Sequence, residues 1–126
     1  RFRHLQFLDI LGRTRNLHQA TVGDFQWLRP CAPVDLLICS DVLHYVPSRE
    51  LNAGLGGLAE LCSGVAFLET FSSEDAFEGD QDGFQQRNAS WYRRSFARAG
   101  FRPLGSHLWL SPGWDGAPAA LESTIR

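Results

Sequence analysis

The stretch Val34-Asp35-Leu36-Leu37-Ile38-Cys39 decides the fold class of this chain. It is a short, almost wholly apolar run that is entered from Pro33 and left through Ser40 and Asp41. An unbroken apolar run, rather than an alternation of apolar and polar residues, is typical of a strand covered on both faces, as in a parallel sheet. We therefore predict a parallel strand, buried on both faces, over residues 34–39.

A βαβ unit is predicted from the residues that follow this run. Ser48 suits the N-cap of a helix, and the apolar residues that recur after it at helical spacing are Leu51, Leu55, Leu58 and Cys62. Residues 65–68, Val-Ala-Phe-Leu, then indicate a second buried strand, which ends at Glu69. Strand, helix and strand joined by short connections form a βαβ unit, whose crossover is right-handed.

A second helix and a hairpin are predicted near the C-terminus. Residues 72–87 are polar and acidic with two glycines, which predicts a loop. Asn88 suits the N-cap of a helix over 88–99, and Gly100 suits the left-handed position that follows a helix.

Two short strands around Gly105 complete the pattern, over residues 101–106 and 107–111. Pro103 lacks an amide hydrogen and therefore favours an edge position for the first of them. Residues 112–126 are rich in Gly, Pro and Ala and are predicted to form a surface tail.

Residues 1–19 have a less distinct pattern. Residues 6–10 and 20–25 each suggest a strand that ends in a carboxylate, with about ten residues between them. That spacing is too short for a parallel crossover, which takes at least about ten to twelve residues. The two are therefore either not neighbouring parallel strands or separated by missing chain, and we favour the second reading. Because the sequence also has no methionine, we expect that residues of the natural chain are absent, both at the N-terminus and near 12–15.

Composition limits the class of protein. The chain has 126 residues, 44% of them hydrophobic, which suffices for the core of a single domain spanning 1–126. A net charge of −2 lacks the basic footprint of nucleic-acid binding, and no apolar run approaches the ~18–20 residues that span a bilayer. Three cysteines without CxxC spacing favour a reducing compartment, so we expect a cytoplasmic protein with neither nucleic acid nor membrane as a partner.

Motifs for metal and phosphate binding fail on spacing. The four histidines share no ligand spacing with each other or with the cysteines, so no metal site is expected. A calcium loop beginning at Asp80 would need a carboxylate at position 89, which is alanine. The glycines of residues 54–57 lie inside the predicted helix, where small residues favour close packing over phosphate binding.

Four segments together resemble class I S-adenosylmethionine-dependent methyltransferases, most closely small bacterial domains of the NodS-like or methyltransferase-domain type. They are GDF at 23–25, VDLLICSDVLHYVP at 34–47, GVAFLETF at 64–71 and WYRRSFARAGFRPLGSHLWLS at 91–111. The resemblance covers about residues 20–111 and implies a Rossmann-like α/β fold, a three-layer αβα architecture. Its mostly parallel sheet would end with a C-terminal antiparallel hairpin. We expect this fold to be incomplete in the present chain.

The resemblance implies S-adenosylmethionine as the cofactor. Asp24 matches the acidic position that accepts a hydrogen bond from the adenine amino group, and Phe25 would flank the ring. Ser40, Asp41 and Val42 match the turn after the fourth strand of the family, where Asp41 would face the sulfonium or ammonium group.

Asp9 is a further cofactor candidate, for the ribose or the methionine side. The segment 8–12 begins like the family's glycine-rich loop and then departs from it. The same segment also matches the end of the family's second strand, where an acidic residue binds the ribose hydroxyls, and both alternatives stay open.

His44 and Tyr45 are the predicted catalytic residues, on the acceptor side of the site. A histidine here would take a proton from an acceptor hydroxyl or amine, with packing under the next helix as the alternative. The acidic residues of 74–82 would attract a cationic amine, form a lid, or simply be solvated.

Three functions follow from these patterns. The first is methyl transfer from S-adenosylmethionine to an N or O atom of a small molecule, which makes the chain an enzyme that is monomeric or homodimeric. The second is a methyltransferase-like domain without activity that serves as a binding or regulatory module. The third, a dinucleotide-binding oxidoreductase, is disfavoured because the chain closes with a hairpin and not with another parallel unit.

Overall fold

The computed structural model describes residues 7–8, 17–18, 20–29, 32–75 and 82–114, the first two pairs by their backbone alone. In chain order the elements are β1 (Phe7–Leu8), β2 (Leu17–His18), a 3-10 helix (Val22–Gln26), β3 (Val34–Cys39), a second 3-10 helix (Leu43–Tyr45), α1 (Ser48–Leu61), β4 (Cys62–Leu68), α2 (Ala89–Arg98), β5 (Arg102–Gly105) and β6 (Leu108–Leu110). The predicted α/β class is confirmed.

The main sheet has four strands in the order β3-β4-β6-β5. β3 pairs with β4 in parallel, with Leu37 opposite Ala66, whereas β6 is antiparallel to both β4 and β5. It follows that β3, β4 and β5 all run in one direction and that β6 is inserted between two of them. The carboxyl ends of these three strands therefore lie at one edge of the sheet.

The hairpin that closes the sheet has a two-residue turn. Ser106 and His107 connect Gly105 to Leu108, and their φ angles are 54° and 65°. Positive φ at both central residues is the type I′ pattern, whose twist matches that of antiparallel strands. β5 is an edge strand, as Pro103 predicted.

The core lies between one face of this sheet and the two helices. The buried residues that form it include Leu51, Leu55 and Leu58 of α1, Tyr92 and Phe96 of α2, and Ala66, Leu68 and Trp109 of the sheet. Helical spacing brings the apolar residues of each helix to one side, so both helices bury a stripe against the same sheet face.

The opposite face of the sheet is apolar but not covered by a helix in the described part of the chain. The register places Leu36 beside Val65, and Ile38 beside Phe67, on this face. Ile38 is 60% exposed. The prediction that the strand over 34–39 is buried on both faces is therefore wrong at Ile38.

The strand predicted over 20–25 is also wrong, because Val22–Gln26 is a 3-10 helix. Asp24 turns the chain here: its carboxylate accepts the amide hydrogen of Thr21 at 2.9 Å, and its own amide donates to the Thr21 carbonyl. Gly54 and Gly57 of α1 let the 3-10 helix pack closely against α1, since a Cβ at Gly57 would lie 1.7 Å from the Phe25 carbonyl oxygen. The glycines therefore serve packing.

The observed caps of α2 agree with the prediction, whereas the N-cap of α1 differs from it. Asn88 caps α2, since its side chain accepts the amide hydrogen of Trp91, and Gly100 has a φ of 102°. Pro47, and not Ser48, is the N-cap of α1. The Ser48 hydroxyl instead accepts a hydrogen bond from Arg87.

β1 and β2 form a separate parallel pair, with Phe7 opposite Leu17. Asp9 and the predicted missing chain near 12–15 lie outside the described residues. So does the tail beyond Trp114, although Pro112 and Gly113 are exposed as predicted. Neither helix in the described chain is long and apolar enough to cross a bilayer.

Candidate functional site

Three polar side chains follow the ends of the two parallel strands, and we call them the carboxyl rim: Ser40 and Asp41 after β3, and Glu69 after β4. The Ser40 hydroxyl donates to the Glu69 carboxylate at 2.6 Å, and the Glu69 amide donates to the carbonyl of Cys39. These two contacts tie the strand ends together. The predicted site residues omitted Glu69, although it ends the second apolar run just as the pair Ser40-Asp41 ends the first.

Asp41 presents an accessible carboxylate at this rim. Its side chain is 64% exposed, and one carboxylate oxygen lies 2.9 Å from Nε2 of His44. The backbone of Asp41 has a φ of 58°, in the left-handed region that residues other than glycine rarely adopt. A charged group is thus held outward at the position where a ligand of an α/β sheet binds.

His44 is completely buried, at 0% exposure. Its Nδ1 accepts the amide hydrogen of Phe71 at 3.2 Å, so the ring proton must lie on Nε2, which donates to Asp41. This tautomer is assigned from the hydrogen-bond network. Both nitrogens are engaged and neither faces solvent, so the geometry does not place His44 to take a proton from an acceptor.

Three partly buried aromatic rings surround the imidazole, and we call them the aromatic cluster: Tyr45, Phe71 and Phe84. Their ring centroids lie 4.5, 5.2 and 5.6 Å from that of His44. Tyr45, the second predicted catalytic residue, therefore lies beside the rim. Phe71 and Phe84 were not predicted, because they occur at the start and within a polar loop that has no apolar periodicity.

A buried arginine supports the turn that carries these residues. Arg87 is 6% exposed, and its guanidinium lies 4.4 Å from the ring centroid of Trp91. It donates hydrogen bonds to four neutral oxygens, those of Ser48, Tyr92, Leu43 and Val46. Sequence reasoning missed Arg87, since nothing in its local sequence distinguishes it from a solvated arginine of a loop.

Two carboxylates of the acidic loop have local structural roles. The Glu74 carboxylate accepts the amide hydrogen of Ala89 at the start of α2, and the Asp75 carboxylate accepts that of Ser72. The first contact caps α2, and the second closes a turn. Asp82 is exposed, while Glu78 and Asp80 lie outside the described residues.

The adenine-side candidates lie on the flank of α1. Gly23 contacts the side chain of Glu50 in the first turn of α1, which follows the carboxyl end of β3. Val22 and Phe25 lie further along α1, beside Gly54 and Gly57, and part of the Asp24 carboxylate is used by Thr21. The ring of Phe25 is 4% exposed and belongs to the core, so it has little surface to offer an adenine.

The last cofactor candidate and the cysteines are mainly structural. Val42 packs against the core, and its carbonyl accepts the amide hydrogen of Tyr45. Burial, with a smaller effect of Cys62, raises the pKa of the Cys39 thiol to about 12. Burial also raises the pKa of Cys62. Within the described ranges, no group of three or more His, Cys, Asp or Glu side chains is arranged to hold a metal ion.

Comparisons of the chain with protein-family models, with curated proteins and with solved structures found no match. A function for this chain must therefore be argued from its motifs and from the geometry of the carboxyl rim.

Proposed function

We propose that this chain binds S-adenosylmethionine at its carboxyl rim and transfers the methyl group to an N or O atom of a small-molecule acceptor. The observation that carries the proposal is the strand order, with β6 inserted antiparallel between two strands that run with β3. The motif resemblance implies this closing arrangement. On this proposal the described sheet is the C-terminal part of a Rossmann-like, three-layer fold.

The carboxyl rim supplies negative charge at the place where the cofactor would carry positive charge. Ligands of open α/β sheets bind beyond the carboxyl ends of the strands, and there Asp41 offers an exposed carboxylate. In our proposal Asp41 faces the sulfonium or ammonium group, while Asp24 accepts from the adenine amino group. The buried ring of Phe25 then supports the adenine pocket from below.

The chemistry requires little of the protein. S-adenosylmethionine supplies an activated methyl group, and the residues of the chain orient the acceptor and exclude water. Any proton that the acceptor releases needs a base at the rim. Asp41 is better placed for that task than His44, because its carboxylate is exposed whereas the imidazole is not.

A methyltransferase-like binding module without activity is the second candidate. The observation that favours it is the burial of His44, which keeps the predicted catalytic imidazole away from any acceptor. The departure of residues 8–12 from a glycine-rich loop points the same way.

Calorimetric titration with S-adenosylmethionine tests the proposal. We expect a Kd of roughly micromolar magnitude, weakened about fivefold in Asp41→Asn, the size expected for an exposed charge pair. Asp35→Asn makes the same change at the opposite end of β3 and serves as the control, with unchanged affinity. No heat and no thermal shift would contradict cofactor binding. Binding without turnover on a panel of amines and alcohols would support the inactive module.

A further inference from the structure

We infer that His44 is a positioning residue that sets the direction of the Asp41 carboxylate, with its proton held on Nε2 by the backbone amide of Phe71. The inference rests on the proposed function, and it takes Asp41 to face the sulfonium of the cofactor. It assigns to His44 a role different from proton transfer, and it makes the loop between β4 and α2 part of the site.

The backbone of Asp41 fits a locally hydrogen-bonded carboxylate. A left-handed φ of 58° is costly for most residues with a side chain, and aspartate adopts it where its short side chain forms a hydrogen bond nearby. The hydrogen bond from His44, three residues later, closes the turn over this conformation at 2.9 Å. Without it, the carboxylate would be free to rotate away from the rim.

The tautomer of His44 is fixed from the other side of the ring. The Phe71 amide can only donate, so Nδ1 must accept, and the proton is left on Nε2. In the alternative tautomer, an N–H at Nδ1 would face the Phe71 N–H, and a lone pair at Nε2 would face the carboxylate. Both contacts would be repulsive, so the two hydrogen bonds reinforce one another.

The loop also holds the ring and backbone of His44. Phe71 and Phe84 pack edge-on against the imidazole, and the amide of Gln85 donates to the carbonyl oxygen of His44 at 2.8 Å. Residues that follow His44 by 27 to 41 positions therefore hold the ring that directs the Asp41 carboxylate.

This arrangement reverses the dyad of serine proteases, where a buried aspartate orients an accessible histidine. Here the histidine is fully buried and the aspartate is 64% exposed. The group that meets a ligand is consequently the carboxylate, and the imidazole is its support.

Two measurements test the inference on the full chain. The first compares affinities for S-adenosylmethionine and S-adenosylhomocysteine, which differ by a methyl group and a positive charge. We expect His44→Ala to reduce the preference for the charged ligand roughly fivefold. His44→Gln keeps an N–H donor near the Nε2 position and should restore most of that preference. Phe96→Ala removes a buried ring from the core away from the rim, so it should lower stability but leave the affinity ratio unchanged.

The second measurement is ¹⁵N NMR of the imidazoles, which distinguishes the two neutral tautomers without any ligand. We expect the Nε2–H form for His44, with the hydrogen bond to the carboxylate lost in Asp41→Ala. An Nδ1–H form, or a folded His44→Ala protein with an unchanged affinity ratio, would overturn the inference. If the wild-type protein binds neither ligand, the proposed function fails on its own, and the tautomer then decides the assignment of His44.

Discussion

The guanidinium of Arg87 donates a hydrogen bond to the carbonyl oxygen of Val46, forty-one residues earlier in the chain. The same side chain reaches Ser48 at the start of α1 and Tyr92 in α2. One buried cation thus joins the turn that carries His44 to both helices, and its removal takes a donor from the buried carbonyl groups of Leu43 and Val46.

Arg87→Met should lower the free energy of unfolding by about 2–4 kcal/mol, since a buried acceptor that loses its donor costs about 1–3 kcal/mol. Arg87→Lys keeps the charge but not the planar fork and should recover only part of the loss. Urea denaturation measures both. Arg93→Met, at an exposed position of α2, is the control and should change stability by less than about 0.5 kcal/mol. Equal effects of the two Met variants would contradict this role of Arg87.

Two neighbouring glycines of α1 should respond to alanine with opposite signs. A Cβ at Gly57 would meet the Phe25 backbone carbonyl at 1.7 Å, whereas a Cβ at Gly56 has no neighbour within 4 Å. Gly57→Ala should displace the first 3-10 helix and cost about 3 kcal/mol, while Gly56→Ala should stabilise by about 0.5–1 kcal/mol through helix propensity. Thermal unfolding of both variants checks this, and a destabilised Gly56→Ala would show that α1 is covered on that side.

Stability should fall at alkaline pH because of Cys39. Its pKa is raised from 9.0 to about 12 by burial, so above pH 9 the unfolded chain loses this proton and the folded chain keeps it. The unfolded state is then favoured by at most about 1.4 kcal/mol per pH unit up to pH 12. Unfolding free energies at pH 8 and pH 10.5 measure the slope. Cys39→Ala should flatten it, leaving the part that Cys62 contributes, and an unchanged slope would exclude Cys39 as its source.

The two faces of β3 should tolerate polar residues differently. Leu37 packs against the core, and Ile38 is 60% exposed on the opposite face. Leu37→Ser should cost about 2 kcal/mol or more, whereas Ile38→Ser should cost less than about 0.5 kcal/mol and reduce self-association at high concentration. Chemical denaturation and light scattering measure the two effects. A large loss of stability in Ile38→Ser would mean that this face is covered in the folded protein.

Much of the fold could be predicted from local sequence. The apolar run of β3 and the helical spacing of α1 located a βαβ unit, and Asn88 and Gly100 located both ends of α2. The prediction was wrong at residues 22–26, where a strand was expected. The segment forms a 3-10 helix instead, which the Asp24 side chain stabilises through its hydrogen bond with Thr21. The apolar residues of this segment are compatible with a strand and with a 3-10 helix. The choice between these two structures depends on packing against α1, which Gly57 allows.

Part of the candidate site could be predicted as well. Asp41 and Tyr45 were located by their position after a strand, and the structure places both at the carboxyl rim. His44 was located too, but its burial and its Phe71 partner changed what it can do. Glu69, Phe71 and Arg87 were missed as site residues because their partners lie far away in sequence.

By itself the sequence determined the two α-helices and the four strands of the main sheet, since periodicity of apolar residues and capping side chains act over a few neighbouring positions. Only the tertiary structure decided which groups are exposed and which ring nitrogen of His44 carries the proton. The tautomer of His44 depends on an amide 27 residues away, and the direction of Asp41 depends on that tautomer. Hydrogen bonds of this kind are set by the packing of whole elements, which no local pattern encodes.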